Sequence, residues 1–166
     1  MLGKLARWLR LLGFDTAYCS DIDDARLIRL AREEDRVLLT RDTRLCMTRP
    51  VARGEISAVL FSGDDLYDQL MQLLAELDLE QFKAAGRMCP KCNAPTREAS
   101  AQEARGRVPS YVLKIHRDFT FCARCGSFYW KGSHWKAIKR NVMQIRKKRA
   151  DRAGPVTGSH ATSSTD

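Results

Sequence analysis

The spacing of apolar residues changes character several times along the first half of the chain. Leu2, Leu5, Leu9 and Leu12 recur every three or four positions with Trp8 beside them, so "MLGKLARWLRLLGF" reads as an amphipathic helix that Gly13 ends. "DTAYC" is a short strand candidate. Asp23 or Asp24 then opens a second helix, whose apolar face is Leu27, Ile28, Leu30 and Ala31. "RVLLT" is a continuous apolar run, the pattern of a strand buried on both faces, and a turn or short helix begins at Asp42. "ISAVLF" is a third strand, and "DDLYDQLMQLLAELDL" a third long helix capped by Asp64 or Asp65. Helices alternating with apolar strands predict βαβ units and a parallel sheet, an α/β fold.

After "KAAGRM" the pattern gives way to cysteine pairs, Pro, Gly and short β-rich pieces such as "SYVLKI" and "DFTFC". "HWKAIKRNVMQIRKKRA" reads as a basic helix, and "GPVTGSHATSSTD" as a polar, disordered tail. The expected organisation is an α/β domain over 1–85, a cysteine module with its basic helix over 86–150, and a tail over 151–166.

"MCPKCN" and "FCARCG" place Cys89, Cys92, Cys122 and Cys125 in two Cys-x-x-Cys turns with 29 residues between them. Two residues between cysteines let both thiolates of a tight turn face one ion. Two such turns supply the four sulfurs that tetrahedral zinc prefers. Gly126 suits the open backbone of the second turn. A single pair is also compatible with thioredoxin-like redox chemistry, but two in tandem, in a module with little core, favour Zn²⁺. With sulfur at all four positions no site is left for a substrate, so the zinc is read as structural. Cys19 and Cys46 stand apart and read as buried small hydrophobes.

Charge sharpens this division. Residues 1–85 hold 12 Lys and Arg against 15 Asp and Glu, while residues 86–153 hold 17 against 4, a net of +13. A block that basic points to a polyanion, and nucleic acid is the natural one. Within "FYWKGSHWKAIKR", Trp130 and Trp135 read as packing anchors or base-stacking platforms. Lys131, Lys136, Lys139 and Arg140, joined further on by Arg146, Lys147 and Lys148, are the RNA-facing set. His134, alone, is a weak proton donor or ligand. No apolar stretch reaches the roughly 18–20 residues of a membrane span. Lys4, Arg7 and Arg10 interrupt the first helix too often for a secretory signal. Cysteines in metal-binding pairs without such a signal suggest a reducing, cytoplasmic setting.

In an open parallel sheet ligands bind beyond the carboxyl ends of the strands. Asp42 follows the strand 36–40, and Asp24 opens the helix after the preceding strand candidate, so both belong to that edge. Each Asp alone is readily a helix cap. Two from different loops also make an oxygen-ligand site for Mg²⁺ or Mn²⁺.

"MLGKLARWLRLLGFDT", "DDARLIRLAREEDRVLLTRD", "CPKCN" and "CARCGSFYWKGSHW", in this order, resemble the Mut-seven C-terminal RNase domain family. The resemblance spans residue 1 to roughly residue 143. It implies a PIN-like nuclease fold, a parallel sheet flanked by helices, with a zinc ribbon near its C-terminal end. PIN-like nucleases hold a divalent metal with clustered acids and hydrolyse RNA. Carried across, Asp24 matches the acid of "Asp-x-x-Leu" and Asp42 that of "Thr-Arg-Asp", with Asp23 a neighbour able to substitute. The family pattern also places a central strand ending in Asp ahead of "MLGKLAR". This sequence starts at that Met, so the resemblance implies a sheet and a metal site each short of one member. The expectation is a metal-dependent ribonuclease. The alternative is a catalytically impaired RNA-binding protein that lacks the first catalytic Asp.

Overall fold

The computed structural model describes residues 2–76, 88–132 and 140. The chain divides into two compact units, Met1–Lys131 and Gly132–Asp166. The basic helix expected at 134–150 lies outside the described residues apart from Arg140, as do residues 77–79 at the end of the third long helix, residues 83–87 of "KAAGRM", and the tail at 151–166.

Helix α1 (Gly3–Leu11) buries Leu5, Leu9 and Leu12 as the periodicity requires. Gly13, at φ +97°, lets the Gly13 N–H reach Arg10 O and the Phe14 N–H reach Leu9 O, which satisfies the carbonyls of the last turn. α2 (Asp24–Glu33) is capped by Asp23, whose carboxylate accepts the Arg26 N–H at 2.8 Å. Strand β1 (Leu38–Thr40), short helices α3 (Thr43–Cys46) and α4 (Arg49–Ala52), and strand β2 (Ala58–Leu60) follow in turn. β1 and β2 pair in parallel, Leu38 opposite Ala58 and Thr40 opposite Leu60, so the expected βαβ unit is present. α5 (Leu66–Glu76) then packs against α1. Ala31, Leu38, Leu45 and Ile56 form a core between α2, the sheet and α3, with Leu27, Ile28 and Val51 against it.

Both strands are shorter than their apolar runs. Val37 is 39% exposed and Leu60 37%, so neither strand is buried on both faces throughout. In the observed register the backbone N–H and C=O of Leu39 face away from β2, and no described strand pairs with that edge. A groove of about 1260 Å³ runs along it, lined by Leu2, Leu5, Leu9, Leu39 and Asp42 among others.

The strand expected at "DTAYC" is absent. The Thr16 N–H donates to Asn93 Oδ1 at 2.9 Å, and Asp15 bonds Arg36 and Asn93, so this segment spends its polar groups on side chains instead of a ladder.

A second, antiparallel sheet carries the cysteine module: β3 (Arg97–Ala99), β4 (Phe119–Phe121) and β5 (Phe128–Trp130), in that order. Between β3 and β4 lie α6 (Ala101–Ala104) and α7 (Ser110–Ile115). "SYVLKI", read as β-rich, is thus helical. Only one of its large apolar residues, Val112, needs burial, against Ala99, Ala104 and Phe119, while Tyr111 and Ile115 stay exposed. One helical face does this; a strand would bury alternate residues. Trp130 packs on the edge of the same cluster, its ring 6.5 Å from that of Phe119, which makes it a packing anchor.

No helix among the described residues is long and apolar enough to cross a membrane.

Candidate functional site

Cys89, Cys92, Cys122 and Cys125 come together with all four sulfurs within 4.8 Å of one another. Sγ of Cys89 is 3.6 Å from that of Cys125, and Sγ of Cys92 is 3.5 Å from that of Cys122. Four bonds of 2.3 Å at tetrahedral angles place sulfurs about 3.8 Å apart, whereas a disulfide needs about 2.05 Å. The spacing fits a metal and excludes a bridge. The four residues can hold a structural metal such as zinc.

The two turns are built alike. The N–H of the residue after each second cysteine returns to the carbonyl of the first: Asn93 to Cys89 and Gly126 to Cys122, both at 2.9 Å. Both residues adopt positive φ, +61° and +69°. Glycine was the visible half of this rule. Asn93 was missed, although Asn tolerates the left-handed region better than most residues and occupies the same place in "CPKCN" as Gly126 does in "CARCG".

Sulfur electrostatics follow from crowding. The Ser127 hydroxyl and backbone hold Cys125 down to about 6 against the effect of burial. Burial, with the neighbouring thiols, pushes Cys122 up to about 12. Burial and the neighbouring Cys89 sulfur, 3.1 Å from its hydroxyl oxygen, push Tyr129 up. Charging a fourth sulfur beside three others is costly, and a bound dication removes that cost.

The α/β half reaches this centre through α1. Arg10, only 8% exposed, donates from Nε to Thr16 O at 2.8 Å and from Nη1 to the carbonyls of Pro90 and Lys91, each at 3.4 Å. Its cation stands beside what is, once loaded with zinc, a dianionic centre. Periodicity places Arg10 next to the buried Leu9 but cannot show that a cysteine turn receives it.

Asp15 ties the same seam. The Arg36 hydrogen bond, with help from Asn93, holds its carboxyl below the usual 3.8. A lowered folded pKa means stability that is present above the unfolded value and lost as pH falls through the folded one. The Asp15 side chain is 54% exposed, so the effect is small. Thermal melts should show Asp15→Asn below wild type at pH 7, with the gap closing as pH drops below 4. A constant gap would mean that lost packing, not charge, is responsible.

Acidic residues occupy the carboxyl edge of the parallel sheet. The Asp42 carboxylate caps α3, accepting the Arg44 N–H at 2.8 Å, and its own N–H donates to Thr40 Oγ1 at 3.0 Å. After β2, Asp65 caps α5 by accepting the N–H groups of Tyr67 and Asp68. This leaves Asp64 to pair with Arg41 across the edge. Sequence reasoning treated Asp64 only as a cap; the adjacent Asp pair after a strand was the available signal. Asp23 caps α2 and Asp24 lies exposed in its first turn. With no strand at "DTAYC", the reason for placing Asp24 at the sheet edge is gone. Asp42 lines the groove, whereas Asp23 and Asp24 do not. Among the described residues, the cysteines are the one group of three or more potential ligands gathered around a point.

Lys131 and Arg140 are exposed, while Lys136, Lys139, Arg146, Lys147 and Lys148, with His134 and Trp135, lie outside the described residues. Cys19 is exposed and Cys46 half-buried, so neither is the buried hydrophobe expected; Cys19 sits in the irregular segment that replaces the predicted strand.

The family model described as Mut7-C RNAse domain matches residues 1–142, a span that includes both the acidic edge and the cysteine centre. No curated protein and no solved structure matches the chain.

Proposed function

The chain belongs to the Mut7-C RNAse domain family, and from that membership we propose a metal-dependent ribonuclease of PIN-like fold that hydrolyses RNA phosphodiesters at its acidic edge. Family membership carries the nuclease role and makes RNA the substrate or partner. The observation that supports the location is Asp42, a carboxylate at the end of a parallel strand and lining a groove, with the adjacent Arg41 paired to Asp64 from beyond β2.

Residues 1–85 are the catalytic domain in this reading. Residues 86–150 grip RNA through a zinc ribbon and the basic set from Lys131 to Lys148. Asp42 would hold Mg²⁺ or Mn²⁺; Asp24, with Asp23 beside it, is carried over from the family pattern alone, and Asp64 is added here as an oxygen donor following the neighbouring strand. Such a cation, when bound, lowers the pKa of an attacking water and offsets charge growing on the phosphate. The chain's own part is to fix the carboxylates: the Thr40 hydroxyl and the first turn of α3 hold Asp42, and Arg41 holds Asp64. Arg41 stands where a phosphate would approach, able to exchange its carboxylate partner for the phosphate oxygens. Free thiols at metal-binding spacing suit a reducing cytoplasm.

One observation favours the alternative of an impaired RNA-binding protein: Asp23 and Asp42 already serve as caps, and the described aspartates form no cluster of three. Zinc-loaded protein freed of other metals, mixed in excess with end-labelled single-stranded RNA, decides between them. Cleavage that appears on adding Mn²⁺ is expected. Tight binding without cleavage at any Mn²⁺ concentration establishes the alternative, and no binding removes both.

A further inference from the structure

Helices α6 and α7, inserted between β3 and β4, line a cavity of about 380 Å³ together with the segments that follow them. Among the described residues it is lined by Ala101, Gln102, Arg105, Leu113 and Arg117: two arginines, one neutral amide side chain and no acid. The other two arginines of this region are differently engaged. Arg97 lies 5.0 Å from the Phe121 ring centre and pairs with Glu103 at 2.7 Å, and Arg107 lies 5.9 Å from the Phe128 ring centre. Glu103, the carboxylate on α6, is taken up by Arg97 and the Ser100 N–H. Asp118 adjoins Arg117 in sequence but does not line the cavity. Arg105 and Arg117 form no ion pair among the described residues, and both are exposed.

We propose that this cavity binds a phosphate of an RNA backbone. Two arginines bordering one pocket carry like charges that repel, and an oxyanion between them turns that repulsion into attraction. The planar fork of Arg matches two oxygens of a phosphodiester, and the Gln102 amide adds a neutral donor. No aromatic is among the described lining residues, so the contact proposed is with charge and not with sequence. The assignment rests on the ribonuclease reading for its choice of RNA, while the anion chemistry stands by itself. It also assigns a backbone-binding site to the ribbon itself, in addition to the basic residues at 131–148.

The test uses the zinc-loaded full chain and a labelled 20-nucleotide single-stranded RNA, without Mg²⁺ or Mn²⁺, with affinity read by anisotropy across a salt series. Arg105→Gln with Arg117→Gln should weaken binding roughly five- to tenfold and reduce the slope of log affinity against log salt by about 0.7 for each phosphate that is no longer neutralised. Different RNA sequences should be affected alike, and zinc content and melting temperature should be unchanged. Arg105→Lys with Arg117→Lys should keep the wild-type slope and lose only part of the affinity. In parallel, inorganic phosphate added to the wild type should shift the Nε–H resonances of Arg105 and Arg117, where chloride at equal ionic strength should not. Wild-type affinity and slope in the Gln double variant would overturn the proposal. If wild type binds no RNA yet phosphate shifts those two resonances, the site stands as an oxyanion site and the RNA reading falls. If neither occurs, both fall.

Discussion

Cys122→Ser protein is expected to carry less than stoichiometric zinc and to lose the folded ribbon, residues 88–130, as a unit. The reason is a matter of size. The fully buried cluster beneath α6 and α7 is Ala99, Ala104, Val112 and Phe119, of which only two are large; Leu113, Phe121, Phe128 and Trp130 pack against it only partly buried. A segment of some forty residues has little fully buried apolar surface in such a core, and domains this small usually need a metal, disulfides or assembly to fold. A structural zinc supplies an apparent 10–16 kcal/mol or so near neutral pH, and the metal term therefore decides whether the ribbon folds.

The loss does not stop at the ribbon. Arg10 is buried against the Pro90 and Lys91 carbonyls, and these exist as acceptors only while the first turn is wrapped around the metal. A buried donor left without its partner costs about 1–3 kcal/mol, more when charged. α1 and the residues it packs on should therefore melt earlier too. Hydrogen exchange should show faster exchange over 88–130 and a smaller rise in α1, with little change in α2. Arg10→Ala in zinc-loaded protein should reproduce the change in α1 without metal loss. Native exchange in zinc-free Cys122→Ser would sink the metal's structural role. A Cys89–Cys125 disulfide in reduced wild-type protein would do the same.

Legibility in the sequence followed the range of the interactions. α1, α2, α5 and both strands of the parallel sheet were readable because each repeats one local rule: a face of leucines, or an apolar run bounded by Asp or Gly. The four-cysteine centre was readable despite its 29-residue gap, because thiolate chemistry permits so few other uses of two Cys-x-x-Cys turns. The failures have a common cause. Residues 15–19 look like a strand until Thr16 and Asp15 are seen bonded to Asn93, 77 or more positions away. Residues 110–115 look β-rich until Val112 is found to be the residue the ribbon core requires. Arg10 looks like a solvent-facing charge until the turn carbonyls at Pro90 and Lys91 receive it. Each was settled by a partner distant in the chain, which periodicity does not encode. For the acidic edge, position after a strand put Asp42 at the carboxyl end of β1, where it caps α3; the proposed second use, as a metal ligand, is one that spacing does not decide.

The substitution that separates those two uses is Asp42→Asn. Asn caps a helix about as well as Asp, and it keeps the shape that accepts the Arg44 N–H and leaves the Thr40 hydrogen bond in place. Stability should move by no more than about 0.5 kcal/mol. What Asn lacks is the charge, and a neutral amide is a poor ligand for a hard dication that takes carboxylate oxygens. Single-turnover cleavage with saturating Mn²⁺ should therefore fall on the order of 10²–10³-fold, with the Mn²⁺ requirement moving to higher concentration. RNA affinity in the absence of divalent metal should stay within about twofold, because phosphate contacts by basic residues dominate binding. Asp42→Ala should match Asn in cleavage but also lose the cap, at about 1 kcal/mol, so the two variants part in melting temperature and not in rate. Asp64→Asn should give a smaller fall in cleavage, since it removes a donor but also releases Arg41 toward the phosphate. An Asp42→Asn protein that cuts at the wild-type rate would make Asp42 a helix cap alone and move the catalytic centre elsewhere.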